Sequence, residues 1–338
     1  MRSPGTEAAA TSPRPSRRPL LGALAWLLGL GLLAGLVGAY GFDQIAAALA
    51  LAGWSMPLIG VVYLGVLLAD TLGWRALLQR FERAGFGSMV VARWVGSSVN
   101  GLLPAAQVGG DIVRAHLLAR AGVRRPVAGA SVVVDLTAGL ATQLAFVLLG
   151  MGLLIGIRGG SEWLLRLGAG LGIFALAVLG FVLVQHRGLF LRFARLLKRV
   201  TRGGPWQGLV GGAGALDREV VARYRDRVRL SRCAGWRLIG WVWGSAEIWL
   251  AFWLLGYPIG AAEAMVLESL GQAVRSVGFV LPGGVGAQEG GIVAAGTLVG
   301  IGAELALAVA LIKRARELAY GVPGLIAWSI LELPGRRP

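Results

Sequence analysis

The sequence LPAAQVGGD at Leu103–Asp111 has a counterpart 178 residues later, LPGGVGAQE at Leu281–Glu289, and both lie within apolar sequence. In each copy an acidic residue follows the proline by seven positions, with two or more glycines between them. Proline and glycine interrupt the hydrogen bonds of a helix, and inside a membrane the freed backbone groups are tolerated only where protein or a water-filled cavity satisfies them. Two broken segments at corresponding positions of two halves predict a binding site of the kind found in transporters.

The composition predicts an all-α, polytopic membrane protein. Of the 338 residues, 56% are hydrophobic, and the mean hydropathy is +0.70. The apolar sequence comes in blocks of about 20 residues, which is the length that a membrane-crossing helix needs. We predict one integral membrane domain over residues 20–334 with seven spans, at about 20–40, 55–73, 126–157, 167–185, 236–256, 289–312 and 318–334.

The basic residues predict the orientation, because Lys and Arg accumulate in cytoplasmic loops. Residues 1–19 form a basic leader, and the first apolar block is longer than that of the competing interpretation, a cleaved signal peptide. We therefore expect a retained span in the cell inner membrane with a cytoplasmic N terminus. Four segments then hold 27 of the 33 Lys and Arg residues and are predicted to be cytoplasmic, with the C terminus outside: residues 1–19, 74–125, 186–235 and 313–317. Of these, 186–235 is predicted to form amphipathic helix on an anionic membrane surface.

The same charge distribution predicts where the two broken segments enter the membrane. Basic loops flank the first segment, whereas loops poor in basic residues flank the second. The first should therefore be a re-entrant hairpin from the cytoplasm and the second a re-entrant hairpin from outside. This is an inverted repeat, with halves at about 55–185 and 236–334.

Several classes of function are disfavoured. The net charge of +16 could indicate nucleic acid, but the positive residues lie beside the spans and no nucleic-acid-binding module is present. The single cysteine, Cys233, and the two histidines have no metal-ligand spacing, so neither a metal nor another cofactor is predicted. Catalytic motifs are also absent, so we do not expect an enzyme.

Charged residues within apolar blocks are the candidates for function, because burying a charge in a membrane is costly. Acids outnumber bases by eight to two among these candidates. Glu268, Gln272 and Arg275 would form one polar stripe on a helix that leads to the second break. Arg275 either pairs with Glu268 or Glu289 to hold the hairpin together, or faces a central cavity and binds an anionic group such as a lipid phosphate.

The first break offers a comparable set of polar groups. Asp111 and Arg114 are three residues apart at the start of a helix, where they either stabilise its end or line a cavity. Asn100 and Gln107 could donate hydrogen bonds there, as Gln288 could in the second copy. Gly110 would let a head group approach the backbone, or would allow close helix packing. Elsewhere, Asp70, Asp135 and Glu247 stand singly in longer spans, where each either bonds to a neighbouring helix or relays protons.

The segments Asn100–Arg114 and Glu268–Gly291 resemble signature segments of the lysylphosphatidylglycerol synthase transmembrane, or flippase-like, domain family. The resemblance covers about residues 20–334, and the PGGVGAQEGG form is similar to the hopanoid-biosynthesis-associated branch. It implies a membrane domain that moves or accommodates a lipid. The aminoacyl transfer of full synthases resides in a separate soluble domain that we expect this chain to lack, so synthase activity is not implied. The residues that match the family motifs are Asn100, Pro104, Gly110, Asp111, Arg114, Glu268, Gln272, Arg275, Pro282, Gln288 and Glu289.

These patterns lead to one principal hypothesis. The two hairpins form a polar cavity in which Arg275 and Arg114 attract a polar or anionic lipid head group, and the protein acts as a lipid translocase. The first alternative is a non-transporting subunit that presents a lipid to a separate lipid-modifying enzyme. The second is a membrane transferase that uses Glu289 or Asp111 as acid or base.

Overall fold

The computed structural model describes residues 56–78, 84–103, 109–159, 207–278 and 284–332, together with the single residues Gly53, Gly172, Leu176, Gly180 and Leu281. The described residues form nine α-helices and no strands, which confirms the all-α prediction. The span predicted at 20–40 and residues 186–206 lie outside the described residues, as does the span predicted at 167–185 apart from Gly172, Leu176 and Gly180. The helices are α1 (Met56–Ala76), α2 (Phe86–Leu102), α3 (Gly109–Arg120), α4 (Arg125–Arg158), α5 (Gln207–Arg225), α6 (Arg227–Leu254), α7 (Ala261–Val277), α8 (Ala287–Val299) and α9 (Ala303–Leu331).

Two of the described helices are long and apolar enough to cross a membrane. They cover Pro57–Ala76 and Arg125–Arg158, and they correspond to the spans predicted at 55–73 and 126–157. The span predicted at 236–256 lies mostly within α6, which begins nine residues earlier, at Arg227. Arg237, expected at the start of that span, is therefore three turns inside the helix.

Both broken segments interrupt a helix where the sequence predicts it. Helix α2 ends at Leu102 and α3 begins at Gly109, whereas α7 ends at Val277 and α8 begins at Ala287. In the second break the backbone turns at Gly284 and Gly286, with φ angles of +66° and +79°. This left-handed region favours glycine, because a Cβ would be strained there.

The last two predicted spans, 289–312 and 318–334, are wrong in their division of the chain. Helix α8 ends at Val299, and Gly300 adopts a left-handed conformation with φ +87° that terminates it. Helix α9 then runs unbroken from Ala303 to Leu331, through the residues 313–317 that were predicted to be a cytoplasmic loop. The charged residues of this stretch stay in the helix because acids on neighbouring helices neutralise them.

The two halves of the described chain share one packing order, α1–α4 in the first and α6–α9 in the second. In each half the second and third helices pack as a hairpin, α2 on α3 and α7 on α8. The second helix of each half also packs on the fourth helix of the other, so that α2 contacts α9 and α7 contacts α4. Helix α1 lies along α6 in the opposite direction, since Gly65 adjoins Trp243 and Gly73 adjoins Cys233.

Glycine–serine contacts hold the crossings between the halves close. A Cβ at Gly150 of α4 would overlap the Ser269 hydroxyl of α7, and a Cβ at Gly324 of α9 would overlap the Ser98 hydroxyl of α2. Small residues of this kind let helix backbones approach closely in membranes. The two crossings are therefore built alike.

The molecule buries many charged side chains among its apolar core and exposes many apolar ones. Buried charged residues include Arg93, Arg114, Asp135, Glu247, Glu268, Glu289, Lys313, Arg314 and Arg316. Exposed apolar residues follow the outer faces of α1, α6 and α9, and include Leu58, Val61, Leu64, Ile239, Val242, Trp243, Trp253, Val322 and Ile326. Extended exposed apolar surface of this kind is unusual for a soluble monomer and suits a chain surrounded by lipid.

Candidate functional site

Two adjoining cavities with charged side chains in their walls lie where the two halves meet. The first has a volume of about 430 Å³ and is lined mainly by α2, α3, α4 and α6. The second, of about 270 Å³, is lined mainly by α1, α6, α7 and α9. They have one wall in common, hereafter the shared wall, formed by Val66, Asp70, Ser97, Asn100, Gly240 and Trp241.

Asp135 of α4 is the centre of the charge network beside the first cavity. Its Oδ2 atom accepts hydrogen bonds from Arg93 Nη2 at 2.9 Å and from Arg114 Nη1 at 2.8 Å. Both guanidinium groups also lie over the ring of Trp74, with Arg114 at 4.8 Å and Arg93 at 5.6 Å from the ring centroid. One buried carboxylate and one aromatic face thus hold α2 and α3 against α1 and α4.

Arg237 joins this network from the other half of the chain. Its Nη1 atom donates to Asp70 Oδ2 at 2.6 Å, and its Nε atom lies 4.0 Å from Asp135 Oδ1. Arg93 donates a further bond to the carbonyl oxygen of Asp70. Three arginines from three helices therefore converge on two aspartates at the edge of the cavity.

Helix α9 supplies the cations of the second network. Arg316 holds Glu247 of α6 by two hydrogen bonds, of 2.7 and 2.9 Å, and its guanidinium lies 4.0 Å from the centroid of the Tyr63 ring. Lys313 pairs with Glu268 of α7. Arg314 pairs with Glu289 of α8 at 2.8 Å. The basic stretch predicted to be a loop thus connects α9 to three other helices.

Arg275 has a different partner from either acid expected of it. Its Nη1 atom donates to Glu317 Oε1 at 2.9 Å and also to the side-chain oxygen of Gln288. Glu268 instead accepts from Gln272 and Lys313, and Glu289 accepts from Arg314 and from the backbone N–H of Gly286. Arg275 therefore lines the second cavity while it ties α7 to α8 and α9.

The structure brings six of the nine described site residues to these two cavities. Asn100, Asp111 and Arg114 line the first cavity, and Asn100 also lines the second together with Glu268, Gln272 and Arg275. The remaining three described residues pack behind the walls: Gln288 and Glu289 are buried, and Gly110 donates its N–H to Asn100 Oδ1 at 2.7 Å. Pro104, Gln107 and Pro282 lie outside the described residues.

Gly110 and Gly291 serve close helix packing. A Cβ at Gly110 would overlap the carbonyl oxygen of Gly96 on α2, and a Cβ at Gly291 would lie 2.8 Å from the Cβ of Val274 on α7. Two roles were considered for Gly110, the approach of a head group and close helix packing. The structure shows close helix packing. Each hairpin depends on its own glycine, Gly110 or Gly291, because any larger residue there would separate the two helices of the hairpin.

Sequence reasoning missed the cations that complete the networks. Arg93, Lys313, Arg314 and Arg316 were assigned to loops, and Arg237 to the end of a span. The excess of acids over bases in the apolar blocks was a signal that could have found them, because each buried carboxylate needs a compensating charge. Asp70, Asp135 and Glu247 do bond to neighbouring helices, as one of the two interpretations of them required.

The described residues offer no group of three or more His, Cys, Asp or Glu side chains that could hold a metal ion. Cys233 is buried and its thiol lies 3.8 Å from Asp135 Oδ1. The chemistry that this interior does offer is hydrogen bonding and ion pairing with a polar group.

Comparison with known proteins gives one match. A family model described as "Lysylphosphatidylglycerol synthase TM region" matches residues 22–324, which is most of the chain. No curated protein and no solved structure matches.

Proposed function

The chain belongs to the lysylphosphatidylglycerol synthase TM region family, and from this premise we propose that it is a lipid translocase of the cell inner membrane. It would move a lipid with a polar or anionic head group between the two leaflets. The observation that carries the proposal is the pair of cavities with charged walls and a shared wall, inside a molecule whose helices expose extended apolar faces. A head group can lie in the cavities while the acyl chains stay in the surrounding bilayer.

The arrangement of the hairpins supports passage from one side to the other. The α2–α3 hairpin borders the first cavity and the α7–α8 hairpin is tied to the second through Arg275. In our proposal they are re-entrant from opposite faces of the membrane and form an inverted repeat. The first cavity then serves the cytoplasmic leaflet and the second serves the outer leaflet.

In our proposal the head group passes the shared wall between the two cavities, where Gly240 lies beside Asp70. A Cβ on Gly240 would lie 3.0 Å from Asp70 Oδ1, so any side chain there meets the carboxylate that both cavities expose. Glycine thus leaves room beside Asp70 for a polar group to pass. A larger residue would separate the cavities without removing any charge.

The test compares wild type with Gly240→Val in proteoliposomes made from the host's own polar lipids. Hopanoids are included because the second motif is similar to the hopanoid-associated branch. Movement of a fluorescent phospholipid is followed by bleaching of the outer leaflet. Wild type should move the lipid, and Gly240→Val should slow it at least about tenfold, which corresponds to about 1.4 kcal/mol in the barrier. Gly235→Val on the same helix is the matched control, because a Cβ at Gly235 meets nothing within 4 Å.

The possible outcomes separate the hypotheses. Equal rates for wild type and Gly240→Val would refute a route through the shared wall. If wild type moves no lipid in any of these vesicles, the translocase proposal fails, and the alternative of a subunit that presents a lipid to a separate enzyme takes its place.

A further inference from the structure

We propose that the first cavity contains a binding site for a phosphate-type anion, formed by Arg93, Arg114 and Arg237. The site deepens the proposed function. It rests on that function only for the source of the anion, which is the phosphate of a lipid head group. Arg93 and Arg237 were not among the residues that the motifs indicated.

The three guanidinium groups have many more donors than partners. Each carries five N–H donors. Arg93 makes two hydrogen bonds, both through Nη2, whereas Arg114 and Arg237 make one each. The Nε atom of all three is buried without a hydrogen-bond partner. Those buried Nε atoms are closed off from the cavity, so a ligand with several acceptor oxygens would use the outer nitrogens that make no hydrogen bond and are not buried, Arg93 Nη1 and Arg237 Nη2.

The acids of the network do not meet this demand. Asp135 is only 1% exposed and uses a single oxygen for both Arg93 and Arg114, so it lies behind them rather than in the cavity. Asp111 lies 3.0 Å from Arg114 Nη2 as an ion pair, but that nitrogen makes no hydrogen bond. The wall of the first cavity carries three guanidinium groups and two carboxylates, and the buried Asp135 behind it balances the remaining positive charge.

The second cavity has more carboxylates than cations in its wall. Its wall carries three cations and four carboxylates: Arg275, Lys313 and Arg316 against Asp70, Glu247, Glu268 and Glu317. Each of these cations is bonded to an acid, and Arg316 holds Glu247 by two bonds. An anion is therefore expected to prefer the first cavity, where guanidinium groups can bind phosphate oxygens in bidentate fashion.

Gly139 gives Arg237 its place in the site. A Cβ at Gly139 would overlap Arg237 Nη2, so only glycine at this point of α4 lets the guanidinium reach its position. Gly139→Ala should displace Arg237 while every charge remains. Gly139→Ala therefore tests the position of the Arg237 guanidinium separately from its charge.

The experiment measures binding to the full-length protein in detergent free of phospholipid. The probes are dihexanoyl phosphatidylglycerol, inorganic phosphate, and dihexanoylglycerol, which has no phosphate.

Wild type should bind the phospholipid, and Arg237→Gln and Gly139→Ala should each weaken binding at least about tenfold. Arg237→Lys should fall between them and wild type, because an ammonium cannot bind in bidentate fashion. Arg229→Gln, an arginine two turns away on the same helix, is the control and should bind as wild type does. Gel filtration checks that each variant is folded.

Each outcome decides one question. Competition by inorganic phosphate would show that the site accepts the free anion. If inorganic phosphate does not compete, the site requires the lipid. Equal binding of dihexanoylglycerol, or loss of binding in Arg275→Gln but not in Arg237→Gln, would overturn the proposed site. If binding depends on Arg237 but no lipid moves in proteoliposomes, the site stands and the translocase fails. If binding and lipid movement are both unchanged in Arg237→Gln, the translocase stands and the proposed site fails.

Discussion

At the residue scale, the interior depends on buried ion pairs that are held by hydrogen bonds. The pair of Arg316 with Glu247 is the best isolated example, with both side chains less than a tenth exposed and joined by two bonds. Removing one partner leaves a buried charge without compensation, which typically costs about 3–5 kcal/mol. We therefore expect Arg316→Gln to lower the free energy of unfolding by about this amount, measured by SDS titration in detergent micelles.

The companion variants show whether the charge or the packing is responsible. The double variant Glu247→Gln/Arg316→Gln should recover much of the loss, because it removes both charges. Arg229→Gln breaks a pair with Asp226 that is more exposed and should cost less than about 1 kcal/mol. A double variant as unstable as Arg316→Gln alone would mean that the unpaired charge of Glu247 is not the cause.

The same pair shows how far the sequence can predict the site. The acids Glu247, Glu268 and Glu289 stand out because they interrupt apolar blocks, and the polar stripe of α7 follows directly from helical spacing. Their cations could not be identified in that way, because Lys313–Arg316 has the composition of a cytoplasmic loop. Only the three-dimensional packing shows that each cation faces an acid from another helix.

At the scale of single helices, the two crossings between the halves depend on glycine. Helix α4 contacts α7 where Gly150 faces the fully buried Ser269, with no room for a Cβ. Overpacking of this kind costs about 1–3 kcal/mol. We expect Gly150→Ala to lower the free energy of unfolding by that amount, although alanine favours the isolated helix by up to about 1 kcal/mol.

Gly152 is the matched control, since it lies in the same helix, is exposed, and would place a Cβ in open space. Gly152→Ala should be neutral or slightly stabilising, and Gly324→Ala at the equivalent α2–α9 crossing should resemble Gly150→Ala. If Gly150→Ala matched Gly152→Ala, close contact at the crossing would be refuted.

The sequence predicts both helix breaks from proline and glycine, but it does not predict which glycines meet serines, since Gly150 and Ser269 are far apart along the chain.

At the scale of the whole molecule, the unbroken α9 changes the expected membrane topology. We propose that this one long helix crosses the membrane once in place of the two short spans, which makes the number of crossings after α6 odd and places the C terminus on the opposite side. The contacts agree, because Arg120 at the end of α3 donates to the carbonyl oxygen of Leu331 and pairs with Glu332. At the other end of α4, Arg158 donates to the carbonyl oxygen of Leu298. Residues 332 and 124 thus lie at one end of the molecule, and residue 302 at the other.

A cytoplasmic C terminus also fits the positive-inside rule better than the exterior one expected from the sequence, because Arg336 and Arg337 then follow the cytoplasmic end of α9. We predict that an impermeant maleimide added to whole cells labels Gly302→Cys but labels neither Glu332→Cys nor Arg124→Cys, until the membrane is permeabilised. Cys233 is buried, so wild type should give little background. Labelling of Glu332→Cys together with Gly302→Cys in intact cells would show that α9 does not cross the membrane, and the antiparallel relation of the two halves would have to be abandoned.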